Sequence, residues 1–272
     1  MKNNTIYTTQ FTKGILAFFL MATLFTACSS DNNIEEEIEE PTIEEPIEEP
    51  DEEEETTNYN KLLRVENFGY MLEDGNEFED KSILYYSLVN NKEVPIEYRK
   101  TTQWDLAFSG LYSSFMSGNN GSHTGNFGAG TAAVGGIYIV EQPFDEVIEI
   151  PSDDVFKTDK EIYWADENGS FGEGIGWYFY DFDGIFVRDG AYDNMHIAYA
   201  LGETLVLANG QTIPARTLIV RTAKGDYAKI KMISVYKDIF NREDFTRKAP
   251  KMYFTFEYVV VPKGSAQFEI KE

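Results

Sequence analysis

Between residues 83 and 261 the chain returns again and again to short runs of β-branched and aromatic residues separated by turn residues, a pattern that admits strands and little helix. The runs are ILYYSLV (83–89), QWDLAFS (103–109), GIYIVEQ (136–142), GWYFYDF (176–182), ETLVLA (203–208), TLIVRTA (217–223), YAKIKMISVY (227–236) and MYFTFEYVVV (252–261). Two hairpins are placed by their turns. Asn209-Gly210 and Lys224-Gly225-Asp226 each stand between strand-like runs, as tight turns require. In the run 227–236, Ala228, Ile230 and Met232 share one face and Lys229 and Lys231 the other, which predicts a half-buried strand. Phe254, Phe256, Tyr258 and Val260 form an apolar stripe in the last run. No second linker divides residues 59–272, so the expectation is one all-β, antiparallel domain, a sandwich or an open barrel.

The segment 113–136 breaks the pattern. It is rich in Gly, Asn, Ser and Thr and poor in large apolar residues, and reads either as a binding loop or as a flexible connection, with flexibility the default.

Ahead of the domain, Lys2 and Lys13 precede an apolar stretch from Gly14 to Ala27, too short to span a bilayer as a helix. Residues 1–27 read as a signal peptide. Its end, Leu24-Phe25-Thr26-Ala27-Cys28, resembles a bacterial lipobox, so the single cysteine is expected to be acylated and to become the new N-terminus. Cleavage that leaves Cys28 unmodified, or an uncleaved anchor, are the alternatives. Acyl chains at about 0.8 kcal/mol per buried CH₂ would hold the chain at a membrane without a spanning helix. The lipidated cysteine leaves no thiol for catalysis, a disulfide or a metal site.

Residues 28–58 form the expected tether: positions 31–55 carry fifteen Asp and Glu and no Lys or Arg, which cannot pack against one another. Such a stretch behind a lipidated cysteine resembles the surface-export signal of some Gram-negative lipoproteins, and equally a plain solvated spacer. Acidic residues also outnumber basic ones beyond the tether, within a chain of net charge −24, and no basic stripe with interleaved aromatics occurs. This excludes nucleic acid and anionic lipid as partners of the domain.

Catalytic patterns are sparse. The two histidines, His123 and His196, have no G-x-S-x-G elbow near them, and H-E-x-x-H, Walker and dinucleotide motifs are absent. The acid pairs Asp153-Asp154 and Asp181-x-Asp183 would suit glycoside hydrolysis, but near glycines they read more readily as turn formers. DENGS (166–170) and DFDG (181–184) carry calcium-type oxygens without the glycine spacing of a calcium loop. The expected function is binding, with no catalytic residues.

The order of motifs resembles the HmuY family of haem-binding lipoproteins over most of the region from Leu62 to Val261. It runs from the lipobox through QWDLAFSG, the Gly-rich segment and GWYFYD to VRTAKGDYAKIKMISVY and the terminal YFTFEYVV. VRTAKGDYAK is the most specific piece, matching V-R-x-x-D/K-G-x-x-A/Y-K. The resemblance implies an all-β fold shaped like a gripping hand, anchored by lipid alone on the outer leaflet of the outer membrane. It implies that haem b is taken from host haemoproteins and passed to a TonB-dependent outer-membrane receptor.

It also implies two His or Met iron ligands, one in the excursion between the middle strands and one just after the Gly-Trp pair, and no other metal. Here residues 151–174 hold no His or Met, and Asp181 and Phe182 follow Gly176-Trp177. The ligand candidates therefore become Met195 or His196 from one side and His123 or Met116 from the Gly-rich segment. Trp164, Trp177, Tyr178 and Tyr180 are the candidate pocket walls. The alternative is a non-haem ligand, such as a glycan, gripped by the same aromatic residues on the same fold.

Overall fold

The computed structural model describes residues 58–69 and 83–271, so the signal segment, Cys28 and nearly all of the acidic tether lie outside the described residues. The described chain is all-β. Its strands are β1 Leu63–Gly69, β2 Leu84–Ser87, β3 Lys92–Val94, β4 Leu106–Ser109, β5 Phe115–Gly118, β6 Gly136–Val140 and β7 Tyr178–Asp181. They continue with β8 Ile197–Ala200, β9 Leu205–Val206, β10 Thr212–Ile213, β11 Thr217–Arg221, β12 Tyr227–Tyr236 and β13 Lys251–Val261. Only short 3-10 turns interrupt them among the described residues. Each of the eight predicted runs holds a strand, and both predicted hairpins form, Arg221 pairing with Tyr227 across one turn and Val206 with Thr212 across the other.

All strand pairs are antiparallel, in a five-stranded sheet of order β1-β13-β12-β11-β6, a four-stranded sheet of order β3-β2-β4-β5, and two small ribbons, β7-β8 and β9-β10. The stripe predicted on β13 is the seam between the two large sheets. Phe254 stacks on Phe108 of β4 with centroids 4.4 Å apart, and Phe256 meets Tyr86 of β2 edge-on at 5.6 Å. Offset and edge-on aromatic pairs contribute roughly 0.5–1.5 kcal/mol each beyond their burial.

Asp105, just before β4, ties the two sheets through backbone groups. Its Oδ2 accepts the Leu88 amide at 2.8 Å, and its Oδ1 accepts the Ala223 amide, from the turn after β11, at 3.0 Å. Burial pushes its carboxyl up to about 6, against the pull of these backbone donors.

Two expectations are corrected. The second face of β12 is covered at Lys229, while Lys231 on the same face stays half-buried: Lys229 is 4% exposed, and its Nζ donates to the carbonyls of Phe144 and Val147 at 2.8 and 2.9 Å. A second apolar cluster, including Phe144, Phe156, Val259 and Phe268, makes this cover. The alternating lysines signalled a solvent face, but a long side chain can lie along apolar surface and give its ammonium to loop carbonyls.

The Gly-rich segment is a knitted loop rather than a slack one. Asn126 Oδ1 accepts the amides of Asn120 and Gly128 while its Nδ2 donates to the carbonyls of Gly118 and Thr158, and Asn119 Nδ2 donates to those of Thr101 and Trp104. Its glycines allow close backbone approach; a Cβ on Gly121 would stand 1.8 Å from the Thr131 carbonyl oxygen.

Candidate functional site

The ribbon β7-β8 rests on the main sheet. The Ala198 amide donates to Tyr236 Oη at 2.9 Å, the Gly202 amide donates to the Met232 carbonyl, and Trp177 meets Phe254 edge-on at 6.0 Å. Between its strands runs an excursion from Phe182 to His196, fastened at several points. Buried Asp181 accepts the Val187 amide through Oδ2 at 3.0 Å. Arg188 donates to Asn194 Oδ1 and to the carbonyls of Phe245, Arg242 and Glu243.

His196 closes the excursion with φ at 56°, in the left-handed region, and its amide donates to the Phe182 carbonyl at 3.0 Å. A non-glycine residue held there costs on the order of 1–3 kcal/mol and persists where its surroundings over-determine it. Its Nδ1 lies 3.0 Å from Tyr180 Oη, and the Phe182 ring stands edge-on to the imidazole at 4.4 Å. Nε2 meets no hydrogen-bond partner among the described residues. Burial, then the nearby Arg247 and Lys251, lower the pKa of His196 against a smaller opposing pull from Asp183, so the ring is neutral at pH 7. Burial raises the Tyr180 phenol to about 12, and it too stays neutral. In the tautomer where Nδ1–H donates to Tyr180 Oη, the Nε2 lone pair is available to a metal, with the phenol orienting the ring.

Around this imidazole the surface is aromatic and, locally, cationic. Phe171 is 66% exposed and meets Phe182 edge-on at 5.2 Å; Tyr192 is 61% exposed and carries the Arg247 guanidinium 4.4 Å above its ring. Arg247 Nη1 approaches the Met195 sulfur at 3.8 Å, and Lys251 Nζ donates to the Arg247 carbonyl at 2.9 Å.

The predicted site residues separate into groups. Met195, His196 and Tyr180 come together here. His123 sits in the Gly-rich loop, its Nε2 3.0 Å from Asp159 and its Nδ1 buried without a partner, and no contact links it to the His196 cluster. Met116 is fully buried in the core, where its backbone bridges to Tyr163, so it opens onto no ligand surface.

Trp177 and Tyr178 are likewise core residues rather than pocket walls. Trp177 Nε1 donates to the Ser114 carbonyl at 2.7 Å, and the two rings tilt against each other at 4.6 Å. Half-buried Trp164 stacks flat on Phe115 at 5.0 Å. The acid pairs serve local contacts: buried Asp181 accepts the Val187 amide through Oδ2 and leaves Oδ1 without a partner, while Asp153 takes Tyr227 Oη and Arg221 Nη1. Among the described residues no three His, Cys, Asp or Glu side chains gather as a metal site.

The reading from sequence missed Phe171, Phe182, Tyr192, Arg247 and Lys251. The first three are aromatics in turn-rich stretches, where an exposed ring could have been noticed. The two cations arrive from the segment before β13 and from its first residue, and nothing local links them to His196.

A family model described as HmuY protein matches residues 79–258, which runs from just before β2 into β13 and includes the whole His196 excursion. The chain belongs to the HmuY family. At the level of that family it is of haem-binding lipoprotein type. Among solved structures, the Tannerella forsythia apo HmuY analog is similar at 14% identity, over 75% of this chain and 99% of that one, with a TM-score of 0.32. A Bacteroides fragilis protein described as a lipoprotein is similar at 14% identity, over 73% and 89% of the two chains, with a TM-score of 0.25. No curated protein matches the chain.

Proposed function

We propose that this HmuY-family chain is a lipid-anchored outer-membrane protein that binds haem through His196 and hands it to a TonB-dependent receptor. The observation that carries the reading is the neutral His196 imidazole. Its Nδ1 is held at 3.0 Å by Tyr180, its Nε2 has no partner among the described residues, and it lies within an exposed aromatic surface. The residues fit the group: a porphyrin supplies four nitrogens itself and asks the protein for an axial donor, apolar or aromatic contact and a counter-charge for its carboxylates. Phe171, Phe182 and Tyr192 offer the contact, and Arg247 and Lys251 the charge.

Met195 and His196 are consecutive, and a flat ring cannot pass between neighbouring residues of one backbone, so one of them serves and the other flanks. His196 is the better donor because its ring is oriented, whereas the Met195 sulfur faces a guanidinium. Lipidation at Cys28 and the acidic tether behind it are part of the same proposal, as are host haemoproteins as the source of haem.

The test is a hemin titration of the full chain followed in the Soret region. A saturable shift at one equivalent, with a spectrum of a single histidine ligand, is expected, and His196→Ala should remove it while Met195→Ala leaves most of it. No saturation in the parent chain, or an unchanged spectrum in His196→Ala, would refute the assignment. In the first case the aromatic surface would belong to a ligand without iron, such as a glycan.

A further inference from the structure

A cleft of about 550 Å³ lies away from His196, between the knitted Gly-rich loop and the turn joining β11 to β12. Ser122, Thr131, Asp153, Arg221, Tyr227 and Lys263 line it. Its polar groups are only partly used. Arg221 Nη1 binds Asp153 Oδ1 at 2.9 Å, which also accepts Tyr227 Oη at 2.8 Å. The same guanidinium lies 5.3 Å from the Phe156 ring, and its Nε is buried with no hydrogen-bond partner. Lys263 Nζ enters no ion pair or hydrogen bond among the described residues, and its stem runs over Gly225.

On a chain of net charge −24 two cations with unspent donors in one cleft stand out. The general field of the protein repels anions, so an anion held here must be held by these groups. Arg221 Nε is sealed beneath the surface, so the donor open to the cleft is Nη2, which enters no hydrogen bond among the described residues, and a carboxylate is an acceptor that a guanidinium binds strongly.

Acceptors are left over as well: Asp153 Oδ2, the Ser122 oxygen, whose proton goes to Asn120 Oδ1, and the second lone pair of the Thr131 oxygen, which donates to the Gly128 carbonyl and already accepts the Ala133 amide at 3.2 Å. Donors of one kind beside acceptors of another call for a ligand carrying both a carboxylate and hydroxyl groups.

We propose that this cleft binds an acidic sugar unit, its carboxylate between Arg221 and Lys263 and its hydroxyls on Asp153, Ser122 and Thr131. The site is separate from the proposed haem site and does not depend on it. The Gly-rich loop is then a rigid wall. Its asparagines are consumed in holding the loop, which leaves the hydroxyls and the two cations to face the ligand.

The test is calorimetric titration of the full chain with glucuronate, with glucose, which lacks the carboxylate, and with acetate, which lacks the ring. Glucuronate is expected to saturate one site, glucose to give no saturable heat, and acetate to bind at least tenfold more weakly. Lys263→Gln, at an exposed position, and Arg221→Gln should each weaken glucuronate at least tenfold. The proposal is overturned by absence of glucuronate saturation, by glucose or acetate binding equally well, or by undiminished binding in Lys263→Gln. His196→Ala should keep glucuronate binding while losing the hemin Soret band; joint loss would overturn the separateness of the two sites.

Discussion

Replacing Asp105 by asparagine tests the junction between the two large sheets, with an outcome opposite to that of an ordinary ion-pair carboxylate. The side chain is 4% exposed and accepts the amides of Leu88 and Ala223, one on each oxygen. Burial outweighs these donors and moves its pKa from the usual 3.8 to about 6. The native state therefore holds this proton more tightly than the unfolded chain does. The associated stability is complete below about pH 4 and is lost as pH rises through 6. A shift of about two units corresponds to about 3 kcal/mol.

An asparagine at this position cannot titrate, and its NH₂ faces one of the two amides, a mismatch of roughly 1–3 kcal/mol that does not vary with pH. Urea unfolding of parent and Asp105→Asn chains between pH 4 and 7.5 reads the difference, in which the other carboxylates cancel. The substitution should cost most at pH 4 and about 3 kcal/mol less at pH 7.5. A cost that is flat with pH, or greatest at neutral pH, would refute the assignment of a carboxyl held protonated by burial.

Three further outcomes are expected. Because burial and two nearby cations depress the His196 pKa below its usual 6.5, acid should displace bound haem with a midpoint below that value; a Soret-monitored titration with its midpoint at or above 6.5 would contradict this. Lys229→Met keeps the stem but strips the carbonyls of Phe144 and Val147 of their donor, and should cost roughly 2–4 kcal/mol by chemical denaturation, whereas a loss under about 0.5 kcal/mol would return the lysine to the solvent face. Gly121→Ala forces a methyl against the Thr131 carbonyl and should cost at least about 1–3 kcal/mol and speed amide exchange across residues 119–135; unaltered exchange would mean that the loop is as slack as its composition reads.

Strands and hairpin turns are properties of neighbours in the chain, and these were open to reading: eight aromatic and β-branched runs, Asn209-Gly210, Lys224-Gly225-Asp226, and the stripe Phe254, Phe256, Tyr258, Val260. The strands β1, β3, β5 and β8 escaped notice, most of them because they carry too few residues to stand out. β5 was hidden inside a Gly-rich segment because glycine reports conformational freedom and not the close approach that the fold makes of it. The order of motifs was enough to place the chain in the HmuY family, since order and spacing survive without any knowledge of contact.

Contact is what the sequence alone could not supply. Lys229 and Lys231 look alike along β12, yet one lies buried under a loop 85 residues earlier in the chain. His123 and His196 are equally plain in the sequence. Only the fold sets Asp159 against one, and Tyr180, Phe182 and a left-handed backbone against the other. Arg221 and Lys263 become a pair only when the turns after β11 and β13 come together beside the Gly-rich loop. Local propensity fixes which residues extend and where the chain turns. The partners of a polar side chain depend on burial and on segments distant in the chain, and these exist only once the sheets have packed.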